Sequence, residues 1–382
     1  MAELKALVRV STVLVPTLAY SYTVIPRLSP KIPRLLAISP VLYLLFILPW
    51  QFSTVHLRSI SAFFLTWLCC FKLVLLCYDI GPLSRPWSTS SFINFVAVTA
   101  FPIKVKEGDV RETQNKKKND ESSRKKTQPP HCGGRGGYIF KTVLNLAIKT
   151  SLLILIIFLY NYKHFYTSTT LLILYCFHIF LALEVVLGSW AVMAKLIVGS
   201  QLEPQFNKPY LSSSLKEFWG QRWNLIVTNM LRPTVYEPVL NLWGVSARAG
   251  RPPLGARVAA LMATFVVSGL MHELMFYYMT GGQRPSWEVT LFFILHGLLT
   301  GIEVAIGRRI GESAYPRFPK VVRVPLTLGI VISTGSWLFF PPLTRSGADV
   351  KGIKEFDQVV EWSREWVGNM SFVGAWSKCF GD

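Results

Sequence analysis

The sequence predicts an all-α, polytopic integral membrane protein with about eight transmembrane helices, on the strength of three observations. The chain of 382 residues is 51% hydrophobic and only 16% charged, with a mean hydropathy of +0.37, which is more apolar surface than one soluble core conceals. Apolar runs long enough to cross about 30 Å of hydrocarbon recur along the whole chain. The basic residues, 40 Lys and Arg against 21 Asp and Glu for a net charge of +19, fall in the breaks between those runs. A nucleic-acid-binding protein gathers such charge on one folded face, whereas membrane topology spreads it among loops, so the pattern excludes a nucleic-acid partner.

Taken in order, the first run at residues 7–25 follows Lys5 and Arg9 without a small-residue cleavage site and reads as a retained span. The second, 36–50, is short and flanked by Pro40 and Pro49; the third is 60–77. Phe92 to Ile103 is apolar but too short to cross, which puts it in the interface or in a re-entrant turn. Lys104 to Gly137, with Lys116-Lys117-Lys118 and Arg124-Lys125-Lys126 among Asn, Asp, Glu and Ser, reads as a disordered cytosolic loop. Further spans are expected at 139–162, 169–198, 256–279, 287–306 and 324–341, with an amphipathic segment over 203–243. The chain thus divides into an N-terminal membrane region 1–103, the basic loop 104–137 and a region 138–382 that carries the chemistry.

Charge bias supports this order. Loop 104–136 holds ten Lys or Arg against five Asp or Glu, loop 203–255 is also net basic, and loop 307–323 has Arg308, Arg309, Arg317, Lys320 and Arg323 against Glu312. Strict alternation of the spans puts all three on the cytosolic side and both termini on the opposite side. The six cysteines give no disulfide framework, since Cys69, Cys70 and Cys77 share one apolar segment. His131-Cys132 lacks the further Cys or His that a zinc site needs, so no metal is expected.

The residues suited to chemistry are those in the wrong place for a membrane helix. A charged group near the bilayer centre costs on the order of 2.5 kcal/mol or more, so such groups usually line a cavity or reaction path. His272-Glu273 lies inside the run Val258 to Met279, after the small residues Ser268 and Gly269. Adjacent on a helix, their side chains diverge by about 100°, so the imidazole is expected to face a cavity while the carboxylate anchors to a neighbouring span. His296 and Glu303 share a helical face; His178 with Glu184 reads as a pair satisfied between helices. The segment Leu215 to Asn224, with Trp219, Arg222 and Trp223, reads as an amphipathic helix at the cytosolic interface, and interfacial anchoring accounts for everything in it except Asn224.

Three stretches, Phe218-Trp219-Gly220-Gln221-Arg222-Trp223-Asn224, Leu231-Arg232-Pro233-Thr234-Val235-Tyr236-Glu237-Pro238 and Ser268-Gly269-Leu270-Met271-His272-Glu273-Leu274, resemble the membrane-bound O-acyltransferases, in particular their plant wax synthase and acyl-CoA–sterol acyltransferase branch. The resemblance implies helices arranged around a central reaction chamber in the endoplasmic reticulum membrane. It implies transfer of a long-chain acyl group from cytosolic acyl-CoA, a co-substrate rather than a cofactor, to the hydroxyl of a lipid alcohol arriving from the bilayer. A long-chain fatty alcohol is the leading acceptor, with a sterol or diacylglycerol as alternatives.

Residue by residue, the resemblance makes His272 the general base and Asn224 the group that positions substrate or donates to the oxyanion. Glu273, His296, Trp219 and Trp223 are the further chamber candidates. Arg222, Arg232, Lys208 and Lys216, together with Arg248 and Arg251, are the candidates for the CoA phosphates. His272 falls about 16 residues into its span, roughly 24 Å along the helix, so Asn224 must sit on an element that dips into the membrane. The non-enzyme alternative, a proton-coupled transporter or channel, requires His178, Glu184, His272, Glu273, His296 and Glu303 to form one continuous polar path.

Overall fold

A computed structural model describes residues 2–100, 134–198, 204–245, 252–310 and 318–369. Eight helical stretches among these residues are long and apolar enough to cross a membrane, matching the eight runs of the sequence with ends displaced by a few residues. We label α1 Ala2–Thr23, α2 Ile32–Ile47 and α3 Val55–Cys77. The short α4 is Phe92–Ala100, followed by α5 Gly134–Leu159 and α6 Ser168–Val198. A broken segment contains α7 Leu225–Leu231, and α8 Leu254–Met279, α9 Glu288–Ile310, α10 Lys320–Thr334 and α11 Ala348–Asn369 complete the chain. Pro16, Pro40 and Pro325 lie inside α1, α2 and α10, as membrane helices tolerate when neighbours satisfy the freed carbonyls.

Alternation of the spans is visible in what binds what. At one end Glu3 accepts from Ser53 and Thr54, Glu355 of α11 from the backbone of Val55 and His56, and Arg345 pairs with Glu288. Tyr278 Oη donates to Phe46 O (2.6 Å) at that same end. At the other end Arg34 holds Asp79 (2.6 Å), and Arg308 donates to Pro252 O (2.8 Å). These two sets involve opposite termini of the same helices, as eight antiparallel crossings require.

The most intimate contact is between α8 and α9. A methyl on Gly269 would stand 3.1 Å from Thr290 Cα, and one on Gly297 would stand 2.9 Å from Met262 Sδ. Small residues on both helices therefore set the separation, the usual device where lipid supplies no hydrophobic drive to associate.

Two expectations are corrected here. The stretch Leu215 to Asn224 is not one amphipathic helix but a short helix at Leu215–Glu217 and a π-helical turn at Phe218–Arg222 ending at Asn224, and the wider segment 203–243 adds a turn at Pro209–Leu211, α7, a second π-helical turn at Arg232–Tyr236 and a last helix at Glu237–Leu242. Pro233 and Pro238 and the left-handed Asn224 break its periodicity. Phe92–Ala100, expected in the interface or in a re-entrant turn, packs inside the protein: Phe95, Ala97, Val98 and Thr99 are buried and Lys72 Nζ of α3 binds Val98 O (2.6 Å) at its C-terminus. Gly134 to Gly137, expected to close the basic loop, form the first turn of α5, while residues 104–133 lie outside the described residues.

Candidate active site

His272 projects from α8, where its Nδ1 lies 2.8 Å from the carbonyl of Ser268 one turn earlier. A carbonyl only accepts, so the neutral imidazole carries its proton on Nδ1 and presents a bare lone pair at Nε2. That Nε2 makes no hydrogen bond among the described residues. Aromatic rings fix the imidazole: it stacks on Phe293 of α9 (4.2 Å between centroids, 28°), and Trp67 of α3 (5.1 Å) and Phe339 (6.0 Å) meet it edge-on. The ring is nevertheless only half-buried, so one side of it remains open.

Glu273, next along the helix, turns away from His272. It is 4% exposed, and its carboxylate accepts from Trp287 N (2.9 Å), Thr290 N (3.2 Å) and Thr290 Oγ1 (3.3 Å). This caps the start of α9, where orphan backbone donors and the helix dipole favour an anion. With both oxygens engaged, it makes the anchor to a neighbouring span expected of this carboxylate, locking α8 to α9 and holding His272 opposite Phe293.

His296 is also consumed. It is fully buried; Trp219 Nε1 donates to its Nδ1 (3.1 Å), its Nε2 donates to Thr334 Oγ1 (2.8 Å), and that hydroxyl donates to Ile330 O (2.7 Å). Both nitrogens are satisfied, so His296 ties α9, α10 and the π-helical turn together rather than meeting substrate. Trp219 likewise points inward, not to an interface, with Phe265, Phe292 and Phe293 around it. Trp223 stacks on Phe218 (5.3 Å, 16°) and faces Phe180 of α6, another inward ring. These aromatic contacts replace the expected interfacial anchoring.

Asn224 sits where the π-helical turn ends and α7 begins, with φ +36°, a left-handed conformation that Asn adopts more readily than most residues. The chain is pinned there by Leu225 N to Gln205 O (2.8 Å) and Asn207 N to Arg222 O (2.9 Å). Asn224 Oδ1 accepts a long bond from Val227 N (3.4 Å), capping α7 and leaving the amide NH2 without a partner among the described residues. Val227 and Leu231 of α7 pack against Trp67, whose ring meets His272. α7 packs against α3 and α8 through Trp67, Val267 and Met271, and Trp219 of the turn before it meets His296 of α9, so this segment lies among the spanning helices rather than beyond their ends.

The chain is similar to known proteins over most of its length. The sequence profile of the membrane bound O-acyl transferase family matches residues 202–295, the stretch from before the π-helical turn to the edge of His296. An acyl-CoA–sterol O-acyltransferase of Arabidopsis thaliana is 40% identical over 342 residues, 89% of this chain and 91% of the relative. A long-chain-alcohol O-fatty-acyltransferase of Simmondsia chinensis is 37% identical over 332 residues, 87% of each chain. A probable long-chain-alcohol O-fatty-acyltransferase of Arabidopsis thaliana is 38% identical over 346 residues, 90% of this chain and 92% of the relative. The chain is a membrane-bound O-acyltransferase.

The basic residues expected to meet the phosphates of acyl-CoA are sorted by the structure. Arg222 is not free: its guanidinium binds Glu217 (2.7 Å from Nε, 2.6 Å from Nη2), Asn207 O and Lys208 O, so it clamps the bend before Asn224. Burial alone would raise the Glu217 carboxyl, but the Ser213 hydrogen bonds and the Arg222 charge outweigh it and hold Glu217 below the usual carboxylate range. Arg232 is exposed and paired with Glu237 (3.1 Å). Lys208 and Lys216 are exposed, with Lys216 beside Glu303, which caps the Leu215–Glu217 helix through Lys216 N (3.2 Å). Arg248 and Arg251 lie outside the described residues.

The O-acyltransferase assignment also leaves no continuous polar path of the kind a transporter requires among these residues. Glu184 pairs with Lys149 (2.7 Å), His178 stacks on Tyr160, and Glu273, His296 and Glu303 are each bound locally as described. Sequence reasoning missed Trp67, Phe293, Phe339, Thr290 and Thr334. In the sequence these are ordinary core residues of membrane helices, and only helix packing brings them to the histidines. Trp67 and Phe339 share one trait: each lies in a π-helical turn, Phe63–Cys69 or Gly335–Phe339, an irregularity that often accompanies functional sites.

Proposed function

We propose that this O-acyltransferase moves a long-chain acyl group from acyl-CoA to the hydroxyl of a long-chain alcohol, forming a wax ester in the endoplasmic reticulum membrane. The observation that carries the reading is the unpartnered Nε2 of His272, whose tautomer is set by Ser268 O and whose ring is held by Phe293. An alcohol bound there loses its proton to Nε2 as its oxygen attacks the thioester carbonyl. Asn224, with its amide NH2 free, suits the carbonyl oxygen as it gains charge. The thioester itself supplies the activation, so no cofactor is required.

His272 lies roughly 27 Å along α8 from its cytosolic start at Leu254. Acyl-CoA therefore threads its thioester inward past α7, with Lys208 and Lys216 as the free cations for its phosphates, while the alcohol enters sideways from lipid. A sterol acceptor is the second reading, favoured by the 40% identity to a plant sterol O-acyltransferase.

The test is ester formation by microsomes carrying wild type or His272→Ala, given labelled palmitoyl-CoA with a fatty alcohol, a sterol and a diacylglycerol. Wax ester that falls by about 10²–10⁴ in the variant at equal protein level is expected, the span typical of a lost general base. Sterol ester in its place transfers the assignment to the second reading. Ester undiminished in the variant removes His272 as the base.

A further inference from the structure

Trp67 carries a hydrogen-bond donor with nothing to bind. The residue is 1% exposed, and its Nε1 has no acceptor among the described residues. Trp219, the other indole of the site, gives its N–H to His296. An unmet buried donor costs about 1–3 kcal/mol, and the few that native proteins keep each call for an explanation, a catalytic role being one of them. A phenyl ring at this position would fill most of the same volume without that cost, so packing alone does not account for the indole nitrogen.

The surroundings say what it could serve. One side of the indole meets the His272 imidazole at 5.1 Å and 83°. Another side meets Val227 and Leu231 of α7, the helix that Asn224 caps. Trp67 therefore touches both the proposed base and the helix that Asn224 caps. It lies in the π-helical turn Phe63–Cys69, an irregularity that often accompanies functional sites.

Resting on the acyl-transfer reading above, we infer that Trp67 is a further catalytic residue, whose indole N–H donates to the thioester carbonyl oxygen as it becomes an oxyanion. The alcohol oxygen forms the new C–O bond while its proton passes to His272 Nε2, and the carbonyl π pair moves onto oxygen, bound by Trp67 Nε1 and the Asn224 amide. That pair then re-forms the C=O bond, the C–S bond breaks with its electrons on sulfur, and the thiolate takes the proton from Nε2 to leave as CoA-SH. Two donors at one oxyanion match the usual geometry of acyl transfer.

The experiment compares wild type, Trp67→Phe and Trp67→His, the last restoring a ring N–H. Steady-state kinetics is run with the alcohol panel, thermal unfolding is followed in detergent, and the infrared carbonyl band is recorded for a bound 13C-labelled acyl-CoA analogue whose sulfur is replaced by CH2. For Trp67→Phe the expected result is kcat lower by about 10²–10³, the loss seen for one oxyanion donor, with KM for acyl-CoA and the unfolding temperature unchanged. The carbonyl band should move to higher frequency in Trp67→Phe and part of the way back in Trp67→His. An unshifted band overturns the proposal, as does a kcat loss that merely tracks a lower unfolding temperature. Because the band is read without turnover, a shifted band with no ester from wild type would sink the acyl-transfer reading and leave the Trp67 contact standing.

Discussion

The imidazole of His272 lies on the ring of Phe293, 4.2 Å between centroids, while Glu273 fastens the two helices that bear them through the backbone of Trp287 and Thr290. The base is thus aimed by a neighbouring helix rather than by its own rotamer. Phe293→Leu keeps an apolar filler but removes the stacking face, worth about 0.5–1.5 kcal/mol for an aromatic pair. We expect kcat to fall about tenfold, since a slight misplacement of reacting groups already carries a large penalty, with KM for acyl-CoA little changed. Steady-state kinetics on purified protein checks this, and unaltered kcat would show that Ser268 O alone orients the ring.

Asn224 serves two purposes that substitutions separate. Its left-handed backbone, φ +36°, is open to glycine but strained for alanine. Both substitutions remove the side-chain cap, so Asn224→Gly should lose activity by about 10²–10³ with a small change in stability, whereas Asn224→Ala should lose the same activity and about 1–2 kcal/mol more through left-handed backbone strain. Thermal unfolding of the two variants side by side distinguishes them; equal stability would mean that the backbone there is not under constraint.

Gly269 and Gly297 set how closely α8 and α9 approach. A methyl on Gly269 meets the Thr290 backbone at 3.1 Å, an atom that cannot swing aside. Gly269→Ala should cost about 1–3 kcal/mol as overpacking and displace Phe293 from His272, lowering kcat as well. At Gly297 the methyl would meet Met262 Sδ at 2.9 Å and the anchored Phe265 Cβ at 3.0 Å, so Gly297→Ala should be destabilising to a similar degree. An unfolding temperature unchanged by either substitution would contradict the packing described.

The Glu217–Arg222 clamp makes a pH prediction. Glu217 is held below its ordinary value of 4.5 in the folded protein, so its contribution to stability is complete above that value and is lost as pH falls through the lower folded value. The unfolding temperature should decline below about pH 4.5 more steeply in wild type than in Glu217→Gln. Parallel declines would mean that the pair contributes nothing measurable. Because Arg222 is consumed by this clamp, Arg222→Met should lower stability, while Lys216→Ala should raise KM for acyl-CoA at unchanged stability.

Much of the protein was legible in one dimension. Span positions follow from run length alone, because about 20 apolar residues are needed to cross hydrocarbon whatever the helices later pack against. The resemblance carried by Trp223-Asn224 and His272-Glu273 was readable for the same reason, since local motifs survive in linear order, and these are the residues on which the proposed function rests. The divergence of His272 and Glu273 was also readable, since adjacent helical residues point about 100° apart.

What each polar residue does with its hydrogen bonds was not readable. Glu273, His296, Arg222 and Trp219 look as eligible in the sequence as His272, yet their partners Thr290, Thr334, Glu217 and His296 consume them. Trp67, 205 residues from His272 by number (272 − 67 = 205), could not be paired with it from the sequence at all. The sequence by itself therefore determined the spans, their alternation and the family to which the chain belongs. Tertiary structure alone decided which groups remain free to react, because in a low-dielectric interior a polar atom is available only if no neighbouring helix has satisfied it.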